Sequence, residues 1–305
     1  MSTLQTAIET IIAASSATKM GVAVKHLESG EEVYIAADQP FPLCSVFKIP
    51  VLVEAFHQMD QGRFTLEDRW ELTLAEKNLP SGILVFLQDG LMPTVRDLLT
   101  LMIIISDNTA TDMIMHRLGE GTVTQYMHEL GLTEIHVPMT VRNIFVDIMG
   151  EAGSDPRRAF TNLATPQPAG PSNRKGHAYS LGPDNDVGTP RALNRLNEMI
   201  FRGQILNRAA CDGMLHILLQ QQLDQRLPRF LPEGTPFAHK TGTLSGIRND
   251  SGILYCNDHS HVAVTVFSTW DAAAVKDDPV AEWDSITRVD SAFGHIGRLL
   301  FDTFK

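Results

Sequence analysis

Strand-forming segments stand at both ends of this 305-residue chain, and a long helical stretch separates them. Near the start, Gly21-Val22-Ala23-Val24 and Val33-Tyr34-Ile35 flank Glu28-Ser29-Gly30-Glu31, which predicts a β-hairpin. Near the end, runs at 237–239, 251–256 and 262–269 predict further strands. Between them the apolar period is helical, through 66–119, 125–130, 191–202 and 208–222. A final amphipathic helix is expected over 285–304. Such an order requires one sheet assembled from distant parts of the chain, so the predicted class is α/β.

Two helices carry more specific information. Residues 1–20 repeat Leu4, Ala7, Ile8, Ile11 and Ile12 at helical spacing. They lack the basic start and long apolar core of a signal peptide, and no apolar run approaches membrane-spanning length. At face value the protein reads as cytoplasmic; a mature form of a periplasmic or secreted protein would read the same. The second helix follows Phe41-Pro42-Leu43. It is apolar almost all round (Ile49, Val51, Leu52, Val53, Ala55, Phe56), which predicts burial. Ser45 is expected to head it, with Pro50 tolerated near its first turn.

Hydrophobic content of 43% and charged content of 20% fit a globular protein. A net charge of −11 argues against a nucleic-acid partner, whose phosphates demand a basic face. The three cysteines are too few for a disulfide framework, and Cys44, with no histidine beside it, reads as a packing residue. His57, His116, His128, His136, His177 and His239 show no ligand spacing, so neither metal nor cofactor is expected. The expected partner is a small-molecule substrate.

Chemistry concentrates in three short motifs: Ser45-Val46-Phe47-Lys48, Ser106-Asp107-Asn108 and Lys240-Thr241-Gly242. A serine hydroxyl needs a base to take its proton. Three residues along a helix is one turn on the same face, so Lys48 can reach Ser45. Lysine acts as a base only when burial or nearby cations lower its pKa; Lys240 is a candidate source of that second charge. Ser106 reads either as a proton carrier to a leaving nitrogen or as a simple helix cap. Asp107 reads as a cap. Asn108, with amide donor and acceptor, suits a substrate acylamide. Together the motifs point to acyl transfer.

This motif set resembles that of class A β-lactamases and penicillin-binding proteins. The likeness extends to the amphipathic start, the early hairpin and Asn249-Asp250 after the Lys-Thr-Gly strand. It implies a β-lactamase/transpeptidase-like fold: an antiparallel sheet flanked by helices (1–40 with 225–305), an all-helical lobe (41–224), and a site in the cleft. It also implies that Lys240, Thr241, Gly242 and Thr243 form the substrate side, with Thr241 on a carboxylate and Gly242 admitting the ligand. The backbone N–H groups of Ser45 and Thr243 would form the oxyanion hole. Arg248 reads as a second carboxylate contact or as a surface arginine.

The likeness fails in one segment. An Ω-loop-like stretch is expected over about 141–190, unusually long and, from Gly150 to Pro190, without hydrophobic periodicity. Its charges (Arg157, Arg158, Arg174, Lys175 against Asp184, Asp186) read as solvating a loop. Where the family carries the glutamate that directs water onto the acyl-enzyme, this chain has Ile144 in Val141-Arg142-Asn143-Ile144-Phe145. Asp147, Glu151 and Asp155 are possible substitutes outside the family's pattern. Leu244 replaces a small residue beside the oxyanion donor and narrows the expected pocket edge. The function expected is a serine hydrolase acylated on Ser45 and acting on a β-lactam or related amide. Alternatives are an esterase, amidase or D-peptidase on the same fold, or a penicillin-binding protein that deacylates slowly.

Overall fold

The computed structural model describes residues 3–79, 81–150, 155 and 175–305. They group into two compact units, Met1–Val46 with Gly188–Lys305, and Phe47–Val187.

The first unit is built on an antiparallel sheet. Helix α1 (Thr3–Ala13) precedes β1 (Lys19–His26) and β2 (Glu32–Ile35), the expected hairpin, which pairs Val22 with Ile35 and Val24 with Val33. The two-residue strands β3 (Phe41–Pro42) and β4 (Val187–Gly188) come next in strand order. Strands β5 (Phe237–Leu244), β6 (Ile247–Asn257) and β7 (Ser260–Thr269) complete a five-stranded sheet in the order β2-β1-β7-β6-β5. The first and last parts of the chain meet where β1 pairs with β7.

Alternation along the strands gives the sheet two faces. Val22, Val24, Val262, Val264 and Val266 share one core with Leu4 and Ile8 of α1. Val289, Phe293, Ile296 and Leu300 close that core from the C-terminal helix Pro279–Phe304. On the opposite parity, Ser251 and Thr265 hydrogen-bond each other (2.7 Å), and Asn197 donates to Ser251 Oγ (2.8 Å).

The second unit has helical regular structure. Helix α2 (Lys48–Asp60) is buried on nearly every side, as its sequence predicts, and Pro50 falls in its first turn, where no intrahelical donor is lost. Helices α3 (Val95–Ile104), α4 (Asn108–Leu118), α5 (Thr122–Glu129) and α6 (Val141–Met149) follow. Thr94 and Asp97 form a reciprocal capping box on α3, and the Thr140 hydroxyl caps α6.

Four expectations are corrected. The described residues of 66–94 are not helical apart from the 3-10 turn Leu84–Phe86; Gly82 and Gly90 hold positive φ and Pro93 interrupts the run. The helices α7 (Pro190–Phe201) and α8 (Arg208–Leu218), placed by sequence in the helical lobe, belong with the sheet. The apolar side of α7 packs on β1, β6 and β7, and α8 packs on β5. The loop-like segment begins later than 141, since 141–149 form α6. Glu151, Arg157, Arg158 and Arg174 lie outside the described residues. The C-terminal helix, α9 (Pro279–Phe304), starts earlier than expected, at a Pro just after the capping Asp278. Among the described residues no helix is long and apolar enough to cross a membrane.

Candidate active site

Ser45 lies in the 3-10 turn Cys44–Phe47, directly ahead of α2 rather than inside it. From Phe41 to Pro50 every residue is buried except Ser45, which keeps partial exposure. Cys44 takes a left-handed backbone conformation (φ 49°) that turns the chain into this position. Its buried sulfur packs 3.9 Å from the Pro42 carbonyl, in keeping with a packing role.

The turn is held from behind by the sheet. Asn249 on β6 is fully buried, and its amide Nδ2 donates to Pro42 O (2.8 Å) and Leu43 O (3.1 Å). Its Oδ1 accepts from the Ser268 N–H (3.2 Å). Gly242 on β5 meets the same turn, and a Cβ there would lie 2.5 Å from Leu43 O and 3.1 Å from Cys44 Cβ. The glycine therefore makes room for the backbone that carries Ser45.

Within the second unit, Lys48 begins α2 and is fully buried. Its Nζ donates to Ser106 O (2.8 Å), Ser106 Oγ (3.0 Å) and Asn108 Oδ1 (3.0 Å). Burial brings its pKa down from the ordinary 10.5 to about 7, against the opposing pull of Asp107 and then Asp112. Ser106 is itself buried, with a left-handed backbone (φ 58°) that joins α3 to α4. It is not the helix cap. Asp107 fills that role by accepting from the Ala110 N–H (2.9 Å), and its other oxygen takes the Ile83 and Leu84 N–H groups. Asn108 spends its acceptor on Lys48 and one donor on Leu79 O (3.0 Å), so its second amide N–H is what it can offer a substrate.

The Lys-Thr-Gly motif lies within β5, at the edge of the sheet. Lys240 is fully buried and donates to Thr241 O (3.0 Å). Thr243 is exposed. Beside it stands a residue the sequence reading missed. Arg226 is buried and donates from Nη1 to Gly242 O (2.8 Å) and Asn249 O (2.6 Å), and from Nη2 to Thr243 Oγ1 (2.5 Å). No local pattern marks it, since it follows a polar loop and only the fold brings it to β5. Arg248, by contrast, turns to the carbonyls of Leu244 (3.1 Å) and Ile247 (2.9 Å) and lies 3.8 Å from Asp290. Burial and then the neighbouring Arg226 lower its pKa. It is thus not a surface arginine, and Arg226 is the guanidinium that sits on Thr243.

On α6 the Ile144 side chain is buried. The helix start is pinned to α4, where Asp112 accepts from Val141 N (2.8 Å) and Arg142 N (2.9 Å). Asp147 accepts from the Ala178 N–H (2.9 Å), and Asp155 is partly buried.

A family model described as Beta-lactamase enzyme family matches residues 3–304. Beta-lactamase CARB-4 of Pseudomonas aeruginosa is 24% identical over 299 residues, covering 97% of this chain and 88% of its own. The crystal structure of a beta-lactamase from Sphaerobacter thermophilus matches with a TM-score of 0.74 at 25% identity, over 98% of this chain and 96% of that one. The structure of PBP-A shares the fold, with a TM-score of 0.76 and 24% identity over 99% and 96% of the two chains. The motifs and a family match along nearly the whole length agree, and the chain belongs to the beta-lactamase enzyme family.

Proposed function

We propose that this protein is a serine hydrolase that takes an acyl group from a β-lactam or related amide onto Ser45 and passes it to water. The carrying observation is Lys48: fully buried, with a pKa of about 7, three residues from a partly exposed serine. An amine in that state is substantially neutral at physiological pH and can accept a proton.

In the proposed cycle Lys48 takes the Ser45 proton and Ser45 Oγ attacks the amide carbonyl. The backbone N–H groups of Ser45 and Thr243 stabilise the oxyanion. Ser106, hydrogen-bonded to Lys48 Nζ, gives a proton to the leaving nitrogen and is resupplied from Lys48. The C–N bond breaks and an ester remains on Ser45 until water cleaves it. Asn108 holds the acylamide through its second N–H. Lys240 and Thr241, with Arg226 seated on Thr243, receive the substrate carboxylate.

Ile144 supports a second reading, in which deacylation is slow. The resemblance places the water-directing glutamate at this position, and a buried isoleucine cannot do that work. The deciding experiment follows intact mass over time with benzylpenicillin and a chromogenic cephalosporin, with Ser45→Ala as control. Substrate consumption with a short-lived adduct is the hydrolase, and a persistent adduct is the slow enzyme. An adduct retained in Ser45→Ala removes Ser45 from the mechanism. Turnover of simple esters with neither β-lactam consumed would move the substrate class to esters and other amides.

A further inference from the structure

Asn249 and Asp250 are adjacent on β6, so their side chains point to opposite faces of the sheet. Asn249 shares its parity with Ser251, toward α7, and Asp250 shares its parity with Leu254, toward the core under α9. Both are fully buried. On one face, the two donors of a single amide fix the last two carbonyls before Cys44-Ser45. On the other, Asp250 Oδ1 takes His239 Nδ1 (2.8 Å) and Oδ2 takes the Leu227 N–H (3.1 Å). His239 is the residue before Lys240, and Leu227 is the residue after Arg226. The His239 ring is held flat against Phe237, with centroids 4.5 Å apart. Gly252 lies directly beneath it, where a Cβ would come within 2.6 Å of His239 Cβ. Between the two side chains, Asn249's own carbonyl accepts from Arg226.

We propose that Asn249-Asp250 is a two-sided positioning element, in which Asn249 sets the turn that presents Ser45 and Asp250 sets Arg226 and the strand of Lys240. The proposal rests on the reading of Ser45 as nucleophile and of Arg226 as part of the carboxylate site. Neither residue touches substrate; each acts through the group it holds. The two faces therefore separate in kinetics. Loosening the serine turn misplaces an attacking oxygen and lowers the acylation rate for any acyl donor. A misplacement of about 1 Å costs on the order of 100-fold. Loosening the turn at Arg226 weakens the grip on an anionic substrate and leaves the attacking oxygen in place.

The test uses stopped-flow acylation of the full chain by benzylpenicillin, which carries a carboxylate, and by p-nitrophenyl acetate, which does not. Rates are normalised to folded protein by circular dichroism. Asn249→Ala is expected to slow acylation by both probes about 10- to 100-fold. Its binding constant for benzylpenicillin should stay within about threefold. Asp250→Asn is expected to weaken benzylpenicillin binding about tenfold, the loss of one well-placed polar contact. It should slow the uncharged ester far less than Asn249→Ala does. Asn249→Ser keeps one donor and serves if the alanine variant does not fold; it should give a smaller loss of the same kind. An Asn249→Ser protein that folds and acylates at the parent rate overturns the proposal. So do Asn249 and Asp250 variants that lose rate and binding by one common factor, the mark of general destabilisation. A parent that neither probe acylates removes the reading of Ser45 itself, which is visible before any variant is made.

Discussion

The state of Lys48 makes the sharpest prediction, because one number sets a whole pH profile. With an ordinary lysine pKa, only about one side chain in a few thousand is neutral at pH 7. With the value of about 7 that burial produces, roughly half are neutral. Burial thus raises the concentration of competent base about 1000-fold. The acylation rate should rise with pH with unit slope, level off above a midpoint near 7, and fall about 50-fold between pH 7 and pH 5. Asp112→Asn removes a charge that holds the value up, so its midpoint should move to lower pH. The assay is pre-steady-state acylation by a chromogenic cephalosporin across pH 5 to 9. A flat profile, or a midpoint near that of free lysine, would refute Lys48 as the base. Stability carries the same sign. Between the folded value of about 7 and the ordinary 10.5 the unfolded chain binds more protons, so stability rises with pH across that window. The penalty is complete below about pH 7 and is on the order of 5 kcal/mol. Lys48→Met should relieve it, flattening denaturation midpoints over the same range while abolishing acylation.

Two further outcomes follow from single contacts. Gly242→Ala puts a methyl 2.5 Å from the Leu43 carbonyl, so the serine turn must shift; acylation should fall by about 100-fold while the protein still folds. A parent-like rate would show that the turn has slack. Ile144→Glu should shorten the life of the Ser45 ester by about 100-fold or more, in the range of one general base. Burial of a new carboxylate should also lower the melting temperature. An unchanged adduct lifetime by intact mass would separate this chain from the glutamate-dependent pattern it resembles.

Much of the molecule was legible in the order of residues. Strand-forming segments at both ends required one sheet assembled from distant parts of the chain, though not the pairing of β1 with β7 that joins them, and the all-apolar stretch after Ser45 required a buried helix. The motifs singled out Ser45, Lys48, Ser106 and Lys240 as candidates because their spacing is itself chemical. Sequence also identified Asp107 as a cap, since capping is a local hydrogen bond. What it could not supply were partners chosen by burial. Helices α7 and α8 carry ordinary amphipathic patterns, and only packing decides that their apolar faces meet the sheet. Arg226 and Arg248 look alike as letters; the fold seats one on Thr243 and folds the other into its own hairpin. Lys48 begins a helix whose apolar run predicts burial, but the Ser106 and Asn108 groups that hold its amine come from a distant part of the chain. Local pattern determines which elements form and which residues can react. Desolvation and long-range contact, set only when distant segments pack, decide which of those residues do.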